Sequence, residues 1–220
     1  MKNILIILTL VFCVSCSDNK TGDKITNETP STFNAIKSNT RMDTINTDKF
    51  WQLIDNAVKV SNGDDNLKEQ NLTTELAKLS LDEITDFEFA FRKCVIDADD
   101  FRVMAAMKII EGSVTDDSYL YFRCWLIGQG KTIYQETLKN PDYLANIVKS
   151  DKIHEFEELM YVATKAYEEK TGKKEGNNFP RDLAFKAGLD YDFGAPPTKG
   201  TDWTEDDLPI ILPVLYKKLK

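Results

Sequence analysis

Ser80–Gly112, SLDEITDFEFAFRKCVIDADDFRVMAAMKIIEG, decides the fold. Ser80 and Glu83 stand three apart ahead of an apolar run. That is the pattern of a capping box, in which each side chain satisfies the other's orphan backbone donor. Behind it Ile84, Phe87, Phe91, Cys94 and Val95 recur at helical spacing and define one face. Phe101 to Ile110 is nearly all apolar and stops at Gly112, which predicts a buried helix with a glycine just past its end.

The same period continues on both sides. Thr47 can cap a helix that carries Phe50, Trp51, Ile54, Ala57 and Val58 on one face, and Leu67, Leu72, Leu76 and Leu79 mark another. A further helix starts near Thr115 and runs through Tyr119, Phe122 and Leu126. Asn140-Pro141-Asp142 reads as an N-cap, a proline in the first helical position and an acid in the first turn. Ile153, Phe156, Leu159, Met160, Ala163 and Tyr167 form a stripe that ends at Gly172.

Gly172 to Gly200 breaks the pattern, with five of the ten glycines and three of the seven prolines. It is expected to be an irregular covering loop pinned by Phe179, Phe185, Tyr191 and Phe193. Thr204-Glu205-Asp206-Asp207 can start a last helix before Pro209 and Pro213 constrain the tail. Alternating runs and internal repeats are missing. The expectation is all-α: one compact multi-helix domain over residues 48–220 with an irregular C-terminal covering loop.

Composition narrows the function classes. The 220 residues carry 36 acids against 28 bases, a net charge of −8. A nucleic-acid partner is not expected, because such binding needs a basic face that releases counterions from phosphate. Apolar residues at 42% suffice for a packed core.

The N-terminus reads as a targeting segment. Lys2 precedes an apolar run from Ile4 to Val14, too short for the roughly 20 helical residues a bilayer core requires but suited to a secretory signal over residues 1–15. Cys13-Val14-Ser15-Cys16 resembles the lipobox of bacterial lipoproteins, in which cleavage precedes a cysteine that then carries acyl chains such as palmitate. The resemblance implies lipidation at Cys16, although Cys13 stands where the pattern prefers Leu, Val or Ile. Of residues 17–47, fifteen of the 31 are Ser, Thr or Asn. Such a stretch buries too little to offset its ordering entropy and is expected to act as a flexible tether, on the order of 30 Å in root-mean-square span.

Several motifs resemble one family. Phe50-Trp51-x-x-Ile54-Asp55 and Asp116-Asp117-x-Tyr119-x-x-Phe122-Arg123-x-Trp125-Leu126-Ile127-Gly128-Gln129-Gly130 resemble signatures of domain of unknown function 4240. Asn140-Pro141-Asp142-x-Leu144, Tyr167-x-x-x-Thr171-Gly172 and Leu212-Pro213-x-Leu215-Tyr216 are similar to its later ones. The resemblance implies a bacterial, mainly helical domain over roughly residues 48–220 and transfers no catalytic residue.

The central motif holds the candidate site. Asp116 and Asp117 suit a first helical turn through the macrodipole alone. Arg123 can point to the same broad face as Asp116, and with Trp125 and Gln129 it could grip an anionic or planar ligand. The structural alternative pairs Arg123 with Asp116 or Asp117 inside the core, and it is the preferred reading. Gly128-Gln129-Gly130 lacks the Lys-Ser/Thr and the preceding strand of a phosphate loop, so its glycines are expected to end one helix and let the next pack closely. The single histidine, His154, lies among Glu155, Glu157 and Glu158 and reads as part of a solvated helix face. No nucleophile elbow, zinc spacing or calcium loop occurs, so no catalytic residue, metal or cofactor is assigned. Cys94 and Cys124 fall on apolar faces, and the sequence leaves open whether they bridge.

Taken together, these features predict a membrane-anchored lipoprotein that presents a helical binding domain outside the cytoplasm. Its partner would be an envelope protein or peptide. The alternative is a hydrolase that uses carboxylates and Arg123 in a cleft under the Gly172–Gly200 segment.

Overall fold

A computed structural model describes residues 47–149, 152–176, 179 and 181–220. The expected signal, the Cys16 anchor and nearly all of the tether lie outside the described residues. Those described are helical with no strand, and one isolated bridge joins Asp100 to Lys199. The domain is all-α.

Six helices build the first two thirds: α1 Thr47–Ser61, α2 Asp65–Ala77, α3 Leu81–Asp97, α4 Phe101–Glu111, α5 Asp116–Ile127 and α6 Lys131–Lys139. The capping box of Ser80 and Glu83 is formed, and Glu83 also pairs with Lys49 of α1. α4 is the buried helix, capped by Asp100 and closed by Gly112 in a left-handed conformation, φ 81°. Phe50, Trp51, Ile54 and Ala57 of α1 meet Leu72, Leu76, Ile84, Phe87 and Phe91 in one core.

Glycine fixes the junction between α5 and α6. A β-carbon on Gly128 would lie 2.7 Å from the Phe156 ring. A β-carbon on Gly130, which sits at φ 98°, would lie 2.7 Å from the Asp55 carboxylate, which accepts from the Lys131 amide that opens α6. Both glycines do what their sequence positions imply.

Two regions depart from expectation. Asn140 caps a 3₁₀ segment, Pro141–Asn146, and the Ile153-to-Tyr167 stripe is not one helix. A 3₁₀ turn, Glu157–Tyr161, leads into α7, Val162–Thr171, while Ile153 is exposed. The apolar period holds for Phe156, Leu159 and Ala163, but the residues just before them are not helical. There the Phe156 amide donates to the Tyr121 carbonyl.

The covering segment holds a short helix, α8 Arg181–Lys186, and only half of its aromatics pin it. Phe179 stacks on Tyr167 and Tyr191 meets Phe91 edge-on, but Phe185 and Phe193 are exposed. Ala184 and Leu189 instead pack on Phe89 as a small second cluster. Beyond it, Trp203 donates its indole N–H to the Phe101 carbonyl, and α9 Leu208–Ile211 and α10 Pro213–Leu219 close the domain.

Candidate functional site

Helical phase divides the central motif. Asp116 and Arg123 are seven residues apart and share a face of α5, whereas Trp125 lies two residues past Arg123 and about 200° around the axis. Gln129 follows Trp125 by four and sits over it, donating to the Trp125 carbonyl. The five candidate residues therefore reach two pockets.

Arg123 is buried, at 6% exposure. It donates to the Val95 carbonyl at 3.2 Å and to the Tyr119 carbonyl at 3.4 Å, and its guanidinium lies 4.6 Å from the centre of the Tyr119 ring. Val95 belongs to the last turn of α3, where a cation complements the helix dipole. The nearest carboxylate is Asp99 at 3.8 Å, and neither Asp116 nor Asp117 pairs with Arg123. The pairing expected from sequence is thus corrected. Six or seven residues is about 9–10 Å along a helix, and partners on one helix sit three or four apart.

Asp116 and Asp117 are exposed, and they line with Asp99 and Arg123 a cleft of about 470 Å³. Tyr191 to Thr198 supply its other wall. A second cleft lies under the same segment, beside Arg92, Arg181 and Asp190. There Arg92 donates to Glu88 at 2.6 Å and to the Leu189 carbonyl, and it stacks on Tyr191. Burial pushes the Glu88 carboxyl above its ordinary range, against the pull of Arg92. The sequence reading missed this pair, although Ile84, Glu88 and Arg92 at four-residue intervals place it on a buried row.

Trp125 and Gln129 line the other pocket with Lys68 and His154. His154 is not on a solvated helix face. It is 6% exposed, meets Trp125 edge to face, and its Nδ1 lies 2.7 Å from the Glu111 carboxylate. The reading fails because the helix starts later than the apolar period suggests, and in the non-helical residues before it His154 is buried while Ile153 is exposed. Lys68 is buried at 3% exposure, 2.5 Å from Asp65 and 5.0 Å from the centre of the Phe156 ring. It too was missed, though it occupies the row of Leu72 and Leu76.

Both Cys94 and Cys124 are free thiols. Burial raises each, Cys94 to about 12 and Cys124 further, so neither is a ready nucleophile. Among the described residues no group of three or more His, Cys, Asp or Glu side chains is gathered to hold a metal.

The family described as protein of unknown function (DUF4240) matches residues 45–169, more than half of the chain. The chain belongs to that family. The match takes in α1 to α6, most of α7 and both signatures around Phe50 and Asp116; the closing Leu212–Tyr216 motif lies beyond it. The floor of the Arg123 cleft is therefore within the matched DUF4240 span and its Tyr191–Thr198 wall is not, whereas the Lys68–Trp125 pocket falls wholly inside. No curated protein and no solved structure matches the chain.

Proposed function

We propose that this DUF4240 domain is a binding module, tethered to a membrane through a lipidated Cys16 and facing the periplasm or the cell exterior from the cell membrane or outer membrane. Its partner is an envelope protein or peptide. One observation carries the binding reading: Arg123 is spent on packing, while Phe193 stands fully exposed on the wall of a cleft rimmed by Asp116, Asp117 and Asp192. An exposed aromatic beside carboxylates suits a peptide with apolar and basic side chains.

The anchor is supported by the Lys2-to-Cys16 pattern and by a domain in which no described helix is long and apolar enough to cross a membrane. Cys16→Ser is expected to shift the protein from the membrane fraction to the soluble one or leave an uncleaved precursor. A mature chain without acyl groups by mass spectrometry would refute the anchor.

For the cleft, a photo-crosslinking residue at position 193 is expected to give a discrete adduct in native envelopes, and one at Val60 is not. Equal adducts from both positions would count against the reading. The hydrolase reading stays second because Asp116, Asp117 and Arg123 do line one open cleft. Under it, Asp116→Asn with Asp117→Asn would abolish turnover of an envelope substrate, whereas under the binding reading it only weakens adduct formation.

A further inference from the structure

We propose that the pocket formed by Lys68, Trp125, Gln129, Lys149, Lys152 and His154 is a binding site for a compact oxyanion, a phosphoryl group above all. It is separate from the Arg123 cleft and does not depend on the function proposed for that cleft.

The pocket's lining carries more cationic side chains than anionic ones. Three lysines face it against one carboxylate, Asp65, in a chain whose net charge is −8. Lys68 has three ammonium hydrogens and, among the described residues, one polar partner, Asp65. Holding an ammonium at 3% exposure with a single partner is costly unless further acceptors reach it. Lys149 and Lys152 are exposed at the rim, and neither makes an ion pair among the described residues. Trp125 is 6% exposed and its indole N–H has no acceptor among the described residues. His154 is held at Nδ1 by Glu111, so its Nε2 donates to an anion only when the ring carries both protons.

Local backbone preorganises these groups. Glu111, in the last turn of α4, accepts from both the amide and the ring of His154 and so fixes the imidazole against Trp125. The Gln129–Trp125 contact holds the last turn of α5 in place. Lys68 is pinned from below by the Phe156 ring. Donors held in advance lose little freedom when an anion arrives, which is where affinity for a small ion comes from.

Size limits the ligand. The pocket holds about 160 Å³, room for some five waters at ~30 Å³ each. A phosphoryl or similarly compact oxyanion fits, while pockets that enclose drug-sized ligands start at about 300 Å³. The group could be free phosphate or the phosphate of a larger molecule, such as the phosphodiester of a phospholipid headgroup, whose remainder stays outside.

The test is a titration of the ¹⁵N-labelled full chain with inorganic phosphate, followed through the indole N–H signals and assigned by Trp125→Phe. A saturable shift of the Trp125 signal is expected while that of Trp203, bonded to Phe101, stays put. Lys68→Met, which keeps the apolar stem, should weaken binding about tenfold or more. Lys149→Ala with Lys152→Ala, on exposed side chains that cannot disturb the fold, should weaken it severalfold and flatten its salt dependence. Phosphatidylglycerol vesicles run beside phosphatidylcholine vesicles separate the sources. A Trp125 shift with the former at lower phosphate equivalents points to a headgroup, and a shift with phosphate alone points to a soluble ligand. The absence of saturation, or an unchanged midpoint in the Lys149/Lys152 double variant, overturns the proposal.

Discussion

Removing the Arg123 side chain would leave the Val95 and Tyr119 carbonyls and the Asp99 carboxylate without their cation. A hydrogen bond from a charged donor is worth about 1.5–3 kcal/mol, and stranding a fully buried partner charge costs about 3–5 kcal/mol. Asp99 keeps 16% of its side-chain exposure and borders the cleft, so water can reach it. Arg123→Ala is therefore expected to lower stability by about 2–4 kcal/mol, read as a fall in the urea midpoint. An unchanged midpoint would mean that Arg123 is held for a ligand rather than for the fold. Arg123→Lys should recover only part, because a compact ammonium lacks the planar guanidinium that lies over Tyr119 while reaching the Val95 and Tyr119 carbonyls. The thiols make a second test at this scale. With Cys94 raised to about 12 and Cys124 further by burial, both should resist alkylation in the native protein at mildly alkaline pH and react once urea unfolds it. Labelling of the folded chain at Cys94 would show that α3 opens locally.

Among the elements, the junction of α5 and α6 is the tightest. Gly130→Ala would put a methyl group against the Asp55 carboxylate and demand φ 98° of a residue with a side chain. Each of these costs about 1–3 kcal/mol, so the variant should unfold well below the wild type in urea. The end of the chain depends on a contact across the fold. Asp142 accepts from the Val214 and Leu215 amides at the start of α10, so Asp142→Ala should cost about 1–2 kcal/mol and Asp142→Asn less. Circular dichroism melts would check both. From sequence, Asp142 was read as serving its own first turn, because nothing local reveals that a helix seventy residues later lacks a cap. Helix existence was legible wherever caps and the 3.6-residue period agreed, as at Ser80 and Thr115. It failed at Ile153–Glu155, where the period continued with no cap to say where the helix begins. Lys68 and Glu88 were legible in principle. Each is a charge in an apolar row, and patterning by residue type alone passes over such positions. What the period could not give was which face of α5 meets which neighbour, so the split of Arg123 from Trp125 waited for the fold.

Across the whole molecule two carboxylates pull the pH dependence of stability in opposite directions. Glu83, bonded to Lys49 and to the Ser80 backbone, is held at about 2 against an ordinary 4.5. A carboxylate with a lowered folded value stabilises the fold fully above its unfolded value and loses that contribution as pH falls through the folded one. Its share is thus complete above 4.5 and gone below about 2. Glu88 is raised by burial, so its native state takes up a proton first, and its contribution grows as pH falls toward the unfolded value and fades as pH rises. The acid limb of the stability curve should therefore carry the Glu83 signature, since Glu88 opposes it only above 4.5. Glu83→Gln keeps an acceptor for the Ser80 cap but removes the pairing with Lys49 that joins α1 to α3. Urea midpoints of this variant should fall less steeply than wild type between pH 4.5 and 2, the two curves converging at the acid end. Parallel curves would show that other carboxylates set the acid limb and that the α1–α3 link contributes nothing to it.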